Sequence, residues 1–382
     1  MKNLEEIRSE INDIDDELVK LFVRRMKASS EVAAAKRESG MPVYDPKRER
    51  DILVKVAGAV GSELENEARL LFTTLFSISR GRQRAELAKT SDFTLSLERA
   101  LAESPVSFPS SASVACPGVE GSYSQQAVSA IVKFPTIFYF KSFEDVFNAV
   151  EKGMCDYGVL PIENSAVGSV AAVYDLMDRH RFKIVRAHRH RINHVLLAKS
   201  GVKLSDVREI HSHPHALSQC SAFLREHPEI HAVPSTNTAA AAAALAASQR
   251  GDVAVIASRE CAELYGLEVI REKIADVDSN FTRFICISKK DEIYADSNKF
   301  SVMMSLSHRA GALSDVLVKF SSGGVNLTKL ESRPVPGSDF EFRFIFDFEA
   351  TPHDPRVIKL LAGFAGDPEI EHFTFLGAYS ER

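Results

Sequence analysis

The sequence contains no unbroken apolar run of about 18 residues, the length a membrane-spanning helix needs, and this excludes a membrane span. It contains no C-x-x-C spacing. Its five cysteines, Cys116, Cys155, Cys220, Cys261 and Cys286, are scattered and odd in number. That usage suits reduced thiols in a cytosol and not a disulfide framework. Neither acids nor bases dominate. The formal net charge is -5, which offers no nucleic-acid footprint but leaves room for a locally cationic site that takes a small anion. The opening residues, Met-Lys-Asn-Leu-Glu-Glu, turn charged and amphipathic at once and do not read as a secretory signal. The expectation is a soluble, cytoplasmic protein.

What is present is ordinary globular material: 382 residues, 45% hydrophobic and 26% charged, enough for two or three domains. Three styles of sequence follow one another. Residues 1–90 read as helical throughout. Leu4, Ile7, Ile11, Ile14, Leu18 and Leu21 step by three and four, a narrow coiled-coil-like seam, and nothing interrupts the pattern before Gly40 and Pro42. Such a helix is roughly 50 Å long at 1.5 Å per residue. It cannot bury its seam within so small a segment, which argues for a partner subunit. Asp45-Pro46 predicts an N-cap with proline at the first helical position of a second helix, and Leu70 to Ile78 a third.

Residues 91–111 read as a linker, because Ser104-Pro105, Pro109 and a serine cluster fall in or beside the stretch from Thr90 to Ala112. From 112 to 290, short apolar runs alternate with helical patterns; Tyr157–Ile162, Val195–Ala198, Val253–Ala257 and Phe284–Ile287 are such runs. That predicts an α/β domain. Residues 298–382 read strand (Phe300–Leu306), helix (Ala312–Phe320), strand (Val325–Glu331), strand (Phe340–Phe348), helix, strand, the ferredoxin-like βαββαβ pattern of an α+β domain.

The first helix carries oddly placed cations. Arg25 and Lys36 are eleven residues apart and return to nearly one face. Arg8 lies seventeen residues before Arg25, roughly 25 Å along the axis, too far to share a small ligand within one subunit. Arg48 and Glu49 follow in the second helix, and Ser79 and Gln83 share a face at i, i+4. Any one of these alone reads as part of a solvated charged face. As a set they resemble the all-helical chorismate mutase class over the whole segment. The matching stretches are Ile7-Arg8-Ser9-Glu10-Ile11, Arg24-Arg25, Ala35-Lys36, Pro42-Val43, Asp45-Pro46-Lys47-Arg48-Glu49-Arg50, and Ser79 with Gln83.

The chemistry such a resemblance implies is a pericyclic rearrangement of chorismate to prephenate, needing no nucleophile, metal or cofactor. A site assists by holding the folded conformer of a dianion and by placing donors at the breaking ether oxygen. By resemblance Arg25, and Arg8 of a partner subunit, hold carboxylates with Arg48 assisting. Lys36 and Gln83 face the ether oxygen, and Glu49 with Ser79 the hydroxyl.

The middle segment carries Gly121-Ser122-Tyr123-Ser124, Pro161-Ile162-Glu163-Asn164-Ser165, Ser212-His213-Pro214-His215, Ser235-Thr236-Asn237-Thr238 and Asn280-Phe281-Thr282-Arg283-Phe284. Singly, each is a turn or a helix cap. In this order they resemble prephenate dehydratase, whose fold is a two-lobed relative of periplasmic binding proteins with its site between the lobes. Asp156-Tyr157-Gly158-Val159 and Tyr265-Gly266-Leu267 strengthen the match. The implied reaction expels the ring hydroxyl as water and the ring carboxylate as carbon dioxide, so a donor at the leaving oxygen is the central need. By resemblance Thr282 fills that place and Arg283 grips a carboxylate. A threonine hydroxyl is too weak an acid to act alone, so Glu163 is a candidate proton source if burial raises its pKa. Asn164, Ser212, Thr236, Ser122 and Ser124 line the anion-binding walls.

Two departures from the family pattern stand out. Its usual Gly-Pro-x-Gly-Thr opening reads Cys116-Pro117-Gly118-Val119-Glu120-Gly121-Ser122 here, and a usual glutamine is His215. His211, His213 and His215 have a superficial ligand spacing, but Pro214 breaks the ladder and the reaction has no use for a metal.

Gly311-Ala312-Leu313 before a helix and Glu331-Ser332-Arg333-Pro334 ending a strand resemble the phenylalanine-binding ACT module. Such modules pair side by side and bind an amino acid at the joint, which implies allosteric inhibition by phenylalanine. The whole chain thus resembles a bifunctional chorismate mutase–prephenate dehydratase, at least a homodimer, with no cofactor. Two rivals stay open: a dehydratase preferring arogenate, and an amino-acid-sensing binding protein whose catalytic parts are vestigial.

Overall fold

The computed structural model describes residues 2–87, 92–103, 105–277, 279–335 and 341–381. The chain divides into two compact units. One comprises Met1–Arg99, Met304–Ile345 and His353–Phe373, and the other Ala100–Met303, Phe346–Pro352 and Thr374–Arg382. Among the described residues no helix is long and apolar enough to cross a membrane.

In the first unit, α1 (Leu4–Ser39) starts under a reciprocal cap. The Asn3 side chain accepts from the Glu6 N–H at 2.8 Å, and the Glu6 carboxylate accepts from the Asn3 N–H at 2.9 Å. It ends at Gly40, whose φ of 66° is a left-handed conformation that glycine adopts without a Cβ clash. α2 (Pro46–Val60) opens where Asp45 accepts from the Arg48 N–H at 3.0 Å. α3 (Glu65–Leu87) packs against both. The predicted seam finds no cover among the described residues: Leu4, Ile7, Ile11, Ile14, Leu18 and Leu21 are 41% to 62% exposed. The buried residues of α1 are Met26, Ser29 and Ala33, all in its second half.

The stretch expected to be a linker instead carries a helix, α4 (Asp92–Glu103). Its Leu97 is buried, and the prolines that suggested a linker come only after the helix ends. Thr90 and Ser104, which bore on that expectation, lie outside the described residues.

The second unit is built on two sheets. In chain order its strands are β1 (Ser111–Pro117), β2 (Phe134–Phe140), β3 (Tyr157–Asn164), β4 (Gly168–Ser169) and β5 (Lys183–Arg191), then β6 (Val195–Ala198), β7 (Glu209–Ser212), β8 (His231–Pro234), β9 (Val253–Ala257) and β10 (Glu268–Arg271), and finally β11 (Phe281–Ser288). Strands β6 to β10 form one sheet, ordered β10-β6-β9-β7-β8, while β5-β11-β3-β1-β2 run side by side in the other with β4 on β3. The chain passes to the five-stranded sheet after β5 and returns at β11, which makes two lobes joined by two crossings. Each lobe has its own core. In β6 and β9 every residue is buried, as expected of strands covered on both faces. The alanine-rich helix Thr238–Ala247 lies on β9, its small side chains permitting close approach. All five cysteines are buried.

The rest of the chain runs strand, helix, strand, strand, helix, strand: β12 (Lys299–Leu306), Ala312–Ser322, β13 (Asn326–Pro334), β14 (Phe342–Glu349), Pro355–Ala365 and β15 (Ile370–Glu381). That is the element order read from the sequence, with strand order β13-β14-β12-β15. Phe340, the expected start of one strand, lies outside the described residues. By contacts, residues of this segment fall in both units. The end of β15 lies parallel to β5, Ser380 opposite Arg186. There Gly377, at φ 141°, approaches Ile184 so closely that a Cβ would overlap its backbone.

Candidate active sites

One constellation lies where α1 faces α3. Arg25, Ser29, Ala33 and Lys36 advance along one stripe of α1, and Ser79 and Gln83 along one stripe of α3. The Arg25 guanidinium donates to the Ser79 hydroxyl at 2.5 Å and to the Leu75 carbonyl at 3.2 Å, 5.7 Å from the centre of the Phe76 ring. Burial lowers the Arg25 pKa and the Glu49 charge opposes that. Gln83, 8% exposed, donates its amide to the Ser29 hydroxyl at 3.0 Å, while its Oε1 has no hydrogen-bond partner among the described residues. Lys36 donates to the Val43 carbonyl at 2.5 Å. The helices therefore bring Arg25, Lys36, Ser79 and Gln83 to one surface, cationic and rich in donors, suited to a small dianion.

Arg8 and Arg48 are not drawn in. Both are exposed, and Arg8 sits about 25 Å along α1 from Arg25. Glu49 is held by a residue the sequence reading passed over. Arg80 donates to both Glu49 oxygens at 2.6 Å. Its other nitrogen reaches Asp315 at 3.2 Å, from the helix Ala312–Ser322. Nothing local flags an arginine among arginines on α3, since Asp315 is 235 residues further along the chain.

The second constellation spans the two lobes. Thr282 on β11 and Asn164 on β3 are antiparallel register partners, and the Asn164 amide donates to the Thr282 hydroxyl at 2.9 Å. The same amide reaches Asn280 Oδ1 at 2.9 Å, while Asn164 Oδ1 accepts from the Ala166 and Val167 N–H groups at 2.9 and 3.1 Å. Asn280 in turn donates to Gln219 Oε1 at 3.0 Å, in the other lobe. Gln219 Oε1 lies 3.1 Å from His194 Nε2, and the Tyr123 hydroxyl lies 3.0 Å from His194 Nδ1. Burial lowers the His194 pKa, partly offset by its bond to Gln219. Burial raises that of Tyr123 well above its ordinary value. A line of neutral hydrogen-bonding groups thus runs from Thr282 across the crossing strands. Gln219 and His194 stood in no motif; Tyr123 and Asn280 stood in motifs but without a role.

Several expected wall residues take other places. Arg283 points away from Thr282, because neighbours on a strand face opposite sides. It is buried against Asp347 at 2.7 Å and Glu381 at 3.4 Å. Glu163 lies on that same side, opposite Arg283 in register and 3.4 Å from its Nε. Its side chain is 37% exposed. Ser212 is fully buried and donates to the Ile256 carbonyl at 2.6 Å. Ser122 is buried and caps the helix Tyr123–Ile131, accepting from the Gln125 N–H at 3.3 Å; Ser124 is buried in its first turn. Thr236 is exposed just before the helix capped by Asn237.

Of the histidines with ligand-like spacing, His211 lies 2.8 Å from Glu209, and the His213 and His215 rings pack 5.2 Å apart. In the first unit, Gly311 at φ 83° opens the helix Ala312–Ser322, with Ala312 and Leu313 half-buried. At the end of β13 Glu331 and Arg333 are half-buried, and Ser332 and Pro334 exposed.

Residues 7–84 match the family described as chorismate mutase type II, and residues 114–292 match prephenate dehydratase. Over 363 residues the chain is 32% identical to a bifunctional chorismate mutase/prephenate dehydratase of Escherichia coli (strain K12), covering 93% of this chain and 91% of that one. It is 38% identical over 257 residues to arogenate dehydratase/prephenate dehydratase 1, chloroplastic, of Arabidopsis thaliana, covering 63% and 65%. Among solved structures it is similar to a prephenate dehydratase in complex with L-Phe from Arthrobacter aurescens. That pair has a TM-score of 0.63 and 31% identity, over 70% of this chain and 90% of that one.

Proposed function

Because the chain belongs to the bifunctional chorismate mutase/prephenate dehydratase family, we propose that its two constellations divide the work, the α1–α3 surface rearranging chorismate and the Thr282 cleft dehydrating prephenate. The chain is an enzyme that converts chorismate to prephenate and prephenate to phenylpyruvate. It is therefore not a vestigial sensor.

At the first site Arg25 holds a carboxylate and Lys36 and Gln83 present donors to the ether oxygen, where negative charge grows in the transition state. Gln83 supplies a donor that does not titrate. Glu49 accepts from the substrate hydroxyl beside Ser79, and Arg48 assists. Arg8 of a partner subunit completes the site. In support of that homodimer, the apolar seam of α1 is exposed along its length and Arg8 stands far from its own Arg25.

At the second site the observation that carries the reading is the Asn164–Thr282 hydrogen bond. A hydroxyl that accepts from an amide keeps its own proton to give, so Thr282 directs an O–H at the leaving hydroxide. The line through Asn280, Gln219, His194 and Tyr123 fixes that geometry across the cleft.

The C-terminal segment acts as an ACT module that binds phenylalanine near Gly311-Ala312-Leu313 and Glu331-Ser332-Arg333-Pro334, so that the cytoplasmic pool of end product restrains the enzyme. The βαββαβ order, the left-handed Gly311 and the L-Phe complex of the Arthrobacter relative support this. The test is to feed chorismate to the purified protein and follow prephenate and phenylpyruvate with and without phenylalanine. Phenylpyruvate that forms through prephenate and falls with phenylalanine is expected. No consumption of chorismate by folded protein would sink the reading. The likeness to the Arabidopsis protein keeps a second reading, preference for arogenate, and turnover of arogenate faster than prephenate would establish it.

A further inference from the structure

We propose that Arg80 is a positioning residue for the chorismate rearrangement: it neutralises and orients Glu49, and through Asp315 it makes that hold depend on the helix Ala312–Ser322. The proposal rests on the assignment of Glu49 to the substrate hydroxyl.

Arg80 follows Ser79 on α3 and is 6% exposed. One nitrogen donates to both Glu49 oxygens at 2.6 Å, the other to Asp315 at 3.2 Å, and the guanidinium carbon stands 5.2 Å from the centre of the Tyr44 ring. Three segments therefore converge on one planar cation: α2, the turn before it and the helix Ala312–Ser322. Asp315 does not serve Arg80 alone, since Arg309 also reaches it at 2.6 Å. One turn along α3, Arg84 meets Asp367 at 2.6 Å, so the mutase helix is pinned to the C-terminal segment at two levels.

The substrate gives this arrangement a purpose. Chorismate arrives with two carboxylates, and a bare Glu49 carboxylate beside it would repel them, the more so away from bulk water. Arg80 cancels that charge while occupying only two of the roughly four lone-pair sites of the carboxylate, leaving one to accept the substrate hydroxyl. A weaker Asp315 contact would let Arg80 move and return charge to Glu49. The effect on the reaction would be on binding first.

The experiment is steady-state mutase kinetics on the full chain for Arg80→Met, Arg80→Lys, Glu49→Gln, the Arg80→Met/Glu49→Gln pair and Asp315→Asn, with prephenate turnover as the check on folding. Arg80→Met should raise KM for chorismate about tenfold and change kcat less than about threefold, and Arg80→Lys should recover most of the loss. In the pair, the neutral amide that replaces the carboxylate leaves no charge to cancel, so KM should match Glu49→Gln alone. Asp315→Asn should raise KM by about threefold. Wild-type KM in Arg80→Met, or losses that simply add in the pair, would overturn the role of Arg80. Wild-type KM in Asp315→Asn would overturn the tie to the helix Ala312–Ser322. Wild-type kinetics in Glu49→Gln would instead remove the assignment of Glu49 itself. Should Arg80→Met fail to fold, Arg80→Gln decides: it keeps a donor but not the charge, and an unchanged KM would overturn the proposal.

Discussion

Asn164 and Thr282 face one another across β3 and β11, and the amide of the first donates to the hydroxyl of the second at 2.9 Å. The bond fixes which lone pair of Thr282 is used and so which way its proton points. Asn164 is itself fixed, because its carbonyl oxygen accepts from two backbone N–H groups.

Removing either member should therefore harm dehydration and spare the rearrangement. Thr282→Ala should lower phenylpyruvate formation about 100-fold or more, and Asn164→Ala about tenfold to 100-fold. Both variants should consume chorismate at the wild-type rate. Near-normal phenylpyruvate formation in Thr282→Ala would rule out its role.

The mirror-image expectation concerns Lys36, whose ammonium lies on the α1 stripe with Arg25. Lys36→Ala should abolish chorismate consumption while prephenate turnover persists, because the two constellations belong to different compact units. A folded variant that lost both activities would show that the sites are not separable.

A pH dependence follows from the imidazoles of the cleft. Burial holds His190, His194 and His213 below the ordinary histidine value of 6.5. As pH falls, the unfolded chain takes up protons first, so stability is whole above about 6.5 and declines from there through the lowered folded values. Each fully shifted histidine contributes a slope of at most about 1.4 kcal/mol per pH unit in that window. Urea midpoints at pH 7.5 and 5.5 should show the decline, and His194→Asn should flatten it. Parallel pH profiles for the variant and the parent would count against this account.

Much of the first unit was legible because a 3.6-residue period, a terminal glycine and an Asp-Pro pair are local signals. Gly40 and Asp45 cap as the sequence predicts. Thr282 was legible by resemblance. Its neighbours were not: a motif presents Thr282 and Arg283 as a pair, whereas a strand turns them to opposite faces and leaves Arg283 to Asp347. Ser212 was read as a wall residue for its hydroxyl, which the core claims through Ile256. Arg80 was invisible because its meaning lies in acids contributed from two distant segments.

Stability offers a separate check at Gly377. A Cβ there would overlap the Ile184 backbone, with the amide nitrogen 2.8 Å away, and φ is 141°. Gly377→Ala should cost about 3 kcal/mol or more, since backbone on the neighbouring strand cannot give way as a side chain can. A melting temperature equal to that of the parent would contradict the close approach.

The five buried cysteines have a use outside catalysis. Burial lifts Cys116 and Cys220 to about 12 and raises Cys155, Cys261 and Cys286 as well, so almost none of their sulfur is thiolate while the chain stays closed. An alkylating reagent would then read out how often each region opens. Cys116, Cys155 and Cys286 report on the lobe of β1, β3 and β11, and Cys220 and Cys261 on the other, so labelling rates resolved by mass spectrometry would time the breathing of the two lobes independently.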